Sequence, residues 1–172
     1  MTLIRTPALR TVALAALLAA TLSACVPLVV GGAVVGGTLV ATDRRTSGAQ
    51  LEDEGIELRA ANRLREALIE RPHINITSYN RQVLLTGEVP TEADKQRAEQ
   101  IVSRVENVKS VLNELAVMGN STLTQRSSDT LITGRVRASF IDAKDLYANA
   151  FKVTTERSTV YLMGRVTQRE AE

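Results

Sequence analysis

The chain is poor in the residues on which most protein chemistry depends. Its 172 residues hold one cysteine, one histidine and no tryptophan, and aromatic residues make up only 3%. A single cysteine, Cys25, cannot form an internal disulfide. A catalytic thiol needs a positioned base, and His73 is the sole imidazole. With so few rings there is no stacking platform for single-stranded nucleic acid. His73 follows Pro72 at a predicted helix–strand joint and reads as a solvated loop residue, because metal sites need several convergent ligands. Asp and Glu are spread along helices as solvated faces. We therefore expect no catalytic residues, no metal ligands, no cofactor and no enzymatic activity.

The N-terminus carries a different kind of information. Arg5 and Arg10 flank the start of an apolar run over residues 11–22, and Leu22-Ser23-Ala24-Cys25 follows. This is the layout of a secretory signal. The small residues ending in Cys resemble the lipobox of bacterial lipoproteins. The resemblance implies that residues 1–24 are a signal peptide and that Cys25 is acylated, with palmitate among its chains. Each buried CH₂ of such an anchor contributes about 0.8 kcal/mol. Val26 stands where an aspartate in lipoproteins implies inner-membrane retention, so the resemblance implies the outer membrane, periplasmic face. Without residues 1–24 the chain has 19 basic and 19 acidic residues and a formal charge of zero. Nucleic-acid binding needs a clustered basic surface, and none is visible.

Residues 25–50 read as a lipid-proximal tether. Residues 26–41 are apolar but shorter than the roughly 20 residues a spanning helix requires, and Pro27 and two Gly-Gly pairs favour no regular interior. Two other readings stay open: a packing face at Gly32-x-x-x-Gly36, or an uncleaved anchor joined to the signal core. Residues 43–48 are polar and turn-prone, an exit into folded protein.

The remainder is written twice. Ile76-Thr77 and the run Val83-Leu84-Leu85-Thr86-Gly87-Glu88-Val89 match Val153-Thr154 and Val160-Tyr161-Leu162-Met163-Gly164-Arg165-Val166 at an offset of 77. Asp53, Ile56 and Arg59 match Asp129, Ile132 and Arg135 at an offset of 76. Two copies of a small domain follow. In the first, Ile56, Ala60, Leu64 and Leu68 predict a helix over residues 52–69, with Glu52-Asp53-Glu54 at its start complementing the dipole. Residues 74–77 predict a strand, Asn80-Arg81 a turn, and Val83, Leu85, Gly87 and Val89 one face of a second strand. Glycine at that strand position, as at Gly164, marks a bulge or a close backbone approach. Thr91 caps a second helix, with Asp94 in the capping-box position, and Ala98, Ile101, Val102 and Val105 form its buried stripe. Val111, Asn113, Leu115 and Val117 alternate as a closing strand. The expected class is α+β, with a three-stranded sheet carrying two helices on one face.

The order helix, paired strands ending in Val-x-Leu-x-Gly-x-Val, helix, then a strand with Val108, Val111, Asn113 and Leu115, resembles the BON domain. Two copies behind a lipobox resemble the dual BON-domain lipoproteins of the outer membrane. We assign residues 51–119 to the first module, 120–127 to a linker and 128–172 to the second. Val117 plus the offset falls at position 194, so the second module is expected to be incomplete within this chain and looser than the first.

The first helix of the second copy is apolar on two sides. Ile132, Val136 and Phe140 take its core stripe. Leu131, Gly134, Ala138 and Ile141 fall on another side, with Arg135 and Arg137 beside them and Lys144 beyond. Residues 51–119 carry nine basic and twelve acidic residues, and residues 128–172 carry seven and six. The extra stripe suits either a membrane interface or a packing partner. The BON resemblance implies the first: Leu131, Gly134, Arg135, Arg137, Ala138 and Ile141 touching anionic phospholipid, and a role in envelope integrity alongside outer-membrane assembly or division-site proteins. The alternative is a periplasmic protein-interaction or chaperone-like module using the same helix face. Metabolic labelling with radioactive palmitate is expected to mark the chain, and Cys25→Ser to abolish the label.

Overall fold

Helix α1 spans Ser47–Ala67. Thr46 caps it, its side chain accepting the Ala49 N–H, which satisfies one of the free amides of the first turn. That cap starts the helix five residues before the position expected from the apolar spacing. Glu52, Asp53 and Glu54 therefore lie inside the helix and not at its positive end. Asp53 is fully buried and heads the stripe Asp53, Ile56, Ala60 and Leu64. A computed structural model describes residues 43–143 and 146–171. Cys25, the expected signal peptide and the apolar run 26–41 lie outside the described residues. Both modules belong to the compact unit Leu39–Glu172.

Strands β1 (Ile74–Tyr79) and β2 (Gln82–Val89) form an antiparallel hairpin, with Ile76 opposite Leu85 and Tyr79 opposite Gln82. Helix α2 (Glu92–Ser103) then crosses over to β3 (Ser110–Val117), which runs parallel to β2. Parallel pairing needs such a crossover. The sheet order is β1-β2-β3. Thr91 caps α2 by accepting the Asp94 N–H, while the Asp94 carboxylate takes the Thr91 hydroxyl at 2.6 Å. Ile56, Leu64, Val83, Leu85, Val89, Val102 and Leu115 meet in one core between the helices and the sheet. Each large apolar side chain buried there contributes about 1.5–3 kcal/mol.

The second copy begins with α3 (Leu123–Asp142), started by a full capping box between Thr122 and Gln125. Much of the segment 120–127, read as a linker, is thus the first turn of a helix. A 3₁₀ turn (Ala148–Ala150) leads into the antiparallel hairpin of β4 (Phe151–Glu156) and β5 (Thr159–Gly164), followed by the short α4 (Gln168–Ala171). Phe140 of α3 packs on Phe151, ring centroids 4.9 Å apart. Ile132 and Val136 are only half-buried. Leu162 is 52% exposed, whereas its counterpart Leu85 is 0% exposed, because among the described residues no helix like α2 lies over this hairpin.

One device recurs in both copies. Asn80 and Arg81 have φ of 51° and 69°, and Arg157 and Ser158 have φ of 52° and 62°. A two-residue hairpin turn with positive φ at both positions is of type I′, a conformation that costs a residue other than glycine about 1–2 kcal/mol. The buried carboxylate on the preceding helix offsets that cost. Asp53 accepts the N–H groups of Asn80 and Arg81 at 2.7 and 2.8 Å, and Asp129 accepts those of Arg157 and Ser158 at 2.9 and 2.8 Å. Successive turn amides form an anion-binding concavity. Asp53 also takes the Ser78 hydroxyl and a 2.7 Å ion pair from Arg45. The strand glycine expectation holds for a steric reason as well. Gly87 has φ of 115°, and a Cβ there would sit 2.0 Å from the His73 carbonyl oxygen.

Burial opposes charge on Asp53, but the Arg81 amide, the Ser78 hydroxyl, the Asn80 amide and Arg45 together hold its carboxyl below the usual range. A depressed acid adds stability above its unfolded value and loses that contribution as pH falls through the folded one. Asp53→Asn is expected to destabilise the protein by about 2–4 kcal/mol in denaturant melts at neutral pH. The gap to wild type is expected to hold above about pH 5 and to narrow as pH drops below about 3.9, the unfolded aspartate value. A gap that is flat with pH would contradict the assignment.

Candidate functional site

The face of α3 expected to meet lipid is open to solvent. Leu131 is 64% and Ile141 73% exposed. Gly134, Arg135 and Ala138 are exposed on the same side of the helix. Arg137 sits at the edge of this face, where its guanidinium reaches back to the Val153 carbonyl at 3.4 Å. The structure thus gathers five of the six residues on one side and sets Arg137 beside β4. Leu123, at the start of α3, is also exposed. Lys144 lies outside the described residues.

A second feature is the seam between the modules. Thr77 and Thr154 are equivalent in the repeat, and their hydroxyls meet at 3.1 Å. Around that pair the copies meet with near-two-fold symmetry. At one end the Tyr79 hydroxyl donates to the Ala150 carbonyl and accepts the Arg165 N–H. At the other end the equivalent positions hold His73, Glu156 and Glu88. Lys152 of the second module pairs with Glu57 of the first at 2.7 Å. The two arginines ahead of α1 divide between the copies. Arg45 lies over the Tyr79 ring and pairs with Asp53. Arg44 lies over Tyr147 and holds Glu170 in a two-pronged pair, both contacts at 2.6 Å. This pair, with the Thr167 amide, keeps the Glu170 carboxyl down at about 2.

His73 is not the solvated loop residue its sequence position suggested. Its side chain is 19% exposed, and Nδ1 lies 3.2 Å from Glu88 Oε2 and 3.7 Å from Glu156 Oε1. Both glutamates are buried. Burial pushes the Glu156 carboxyl up, and the Asn75 hydrogen bond offsets this only in part. Burial also works against charge on Glu88, but hydrogen bonds from Ser121 and the contact with His73 outweigh it and hold that carboxyl low. The cluster opens onto a cleft of about 360 Å³ lined by Asn75, Thr77, Arg126, Thr130, Thr133 and Thr154, among others. The sequence reading missed Glu88 and Glu156. The available signal was a glutamate inside a strand whose neighbours Leu84 and Thr86 point to burial on a second sheet face.

The comparisons with known proteins agree with this architecture. The BON domain family matches residues 52–119 and 128–172. Over 150 residues the chain is 40% identical to a Haemophilus influenzae protein named Outer membrane lipoprotein DolP, a match covering 86% of this chain and 77% of the relative. It is 31% identical over 132 residues to the 21 kDa hemolysin of Actinobacillus pleuropneumoniae, covering 76% of this chain and 68% of the relative. A helix, hairpin, crossover helix and parallel strand fill the first matched segment, and a helix and hairpin fill the second, so the chain belongs to the BON domain family.

Proposed function

We propose that this chain is a lipid-anchored protein of the outer membrane, facing the periplasm, that touches anionic phospholipid through its second module and supports the integrity of the envelope. It acts by contact and not by catalysis. The observation that carries this reading is the open face of α3, where Leu131 and Ile141 stand in solvent beside Arg135. An apolar strip flanked by cations suits the boundary between acyl chains and anionic head groups. The name of the 40% identical relative supports the location, as does the lipobox at Cys25. Residues 51–119 serve as the scaffold, and residues 128–172 present the contact face.

The chain has no tryptophan, so Leu131→Trp places one indole on the proposed face. Its emission is expected to shift to the blue with vesicles containing phosphatidylglycerol and not with phosphatidylcholine alone. Each arginine near an anionic surface contributes about 1 kcal/mol. Neutralising Arg135 and Arg137 together is therefore expected to weaken this response about 30-fold. An indole that stays water-exposed on both vesicles, but is shielded by an added envelope protein, would favour the protein-interaction reading of the same face.

A further inference from the structure

We propose that His73, Glu88 and Glu156 form a binding site for one divalent transition-metal ion, zinc by donor chemistry, shared between the two modules. The donor set is one imidazole nitrogen and two carboxylate oxygens, a combination suited to zinc with a coordination position left for water. Ligands about 2.1 Å from a tetrahedral ion lie about 3.4 Å from one another. Here the imidazole Nδ1 is 3.2 and 3.7 Å from the two carboxylate oxygens, and all three donor atoms lie within 4.8 Å of one another.

The groups behind these donors aim them. Asn75 holds Glu156 Oε2 at 2.6 Å, which leaves Oε1 turned to the imidazole. Arg157 approaches Glu88 Oε1 at 3.4 Å, and the Ser121 N–H meets Glu88 Oε2 at 3.0 Å. The His73 backbone is pinned on both sides, its N–H donating to Asn120 and its carbonyl accepting the Glu88 N–H at 2.8 Å. Such second-layer contacts orient the ligands of a metal. Arg157 already pairs with Glu88, and a second cation between the two buried carboxylates would compensate Glu156 as well. The fold itself does not demand the cluster, because the pseudo-symmetric end of the seam is built with Ala150, Arg165 and Tyr79. The open side faces the cleft lined by Arg126, Thr130 and Thr133, which gives an ion a path in. Glu156 comes from the second module while His73 and Glu88 come from the first, so a bound ion would clasp the two copies.

The test uses the full-length chain in detergent micelles with Cys25→Ser, which removes the one competing thiol. Zinc titrated in a calorimeter is expected to bind one ion per chain. Affinity is expected to fall at least tenfold in His73→Gln and in Glu156→Gln, and to hold in the exposed-site control Glu92→Gln. Cobalt added to His73→Cys is expected to show a sulfur-to-cobalt charge-transfer band, which reports direct ligation even where stability changes. Absence of one-to-one binding, affinity unchanged in His73→Gln, or no charge-transfer band would overturn the site. In that case the imidazole would serve only as an ion-pair partner of the two glutamates.

Discussion

In each copy a carboxylate on the first helix reaches under the hairpin that follows and binds the two amides of its turn. Asp53 and Asp129 are the only acidic members of otherwise apolar helix stripes, and each is placed where the turn amides converge. The interaction ties three elements at once. It sets the helix against the hairpin, it stabilises two positive-φ residues without glycine, and it fixes the register by fixing the turn. In the first copy Arg45 neutralises the buried charge and stacks on Tyr79, so the segment leading into α1 is held by the same anchor. The apolar core could tolerate a small change of shape, but a buried carboxylate left without donors would not be tolerated.

The two copies have diverged around this shared frame. The first closes a full core beneath two helices. The second leaves β5 uncovered among the described residues and turns one side of α3 to solvent. Their meeting about Thr77 and Thr154 is close to symmetric in position and asymmetric in chemistry. One end of the seam is tied by a tyrosine hydroxyl between backbone groups. The other concentrates an imidazole and two glutamates at the mouth of a cleft. The proposed lipid contact and the proposed ion clasp are thus carried by different faces of the same small molecule.

Much of the fold was legible in the chain because its signals are local. The spacing of Ile56, Ala60 and Leu64 shows a helix face, the alternation of Val83, Leu85 and Val89 shows a strand, and Thr91 marks a helix start. Apolar spacing alone places the start of α1 too late, because Thr46 caps the helix ahead of the first apolar residue of the stripe and periodicity carries no mark of a cap. The acidic run at 52–54 suggests a dipole effect by itself, because the sequence does not say which of three adjacent carboxylates turns inward. The open stripe on α3 was visible because its residues share one helix.

The repeat, the element order and the two-sided helix follow from the sequence alone, the first from matching one half of the chain to the other and the others from neighbours within one turn or one strand. The burial of Asp53, the pairing of Arg44 and Arg45 with different modules, and the convergence of His73, Glu88 and Glu156 were decided by tertiary structure. Glu88 and Glu156 are far apart along the chain and come from different copies. Only the packing of one sheet against the other brings them within reach of one imidazole, and no local pattern encodes that distance.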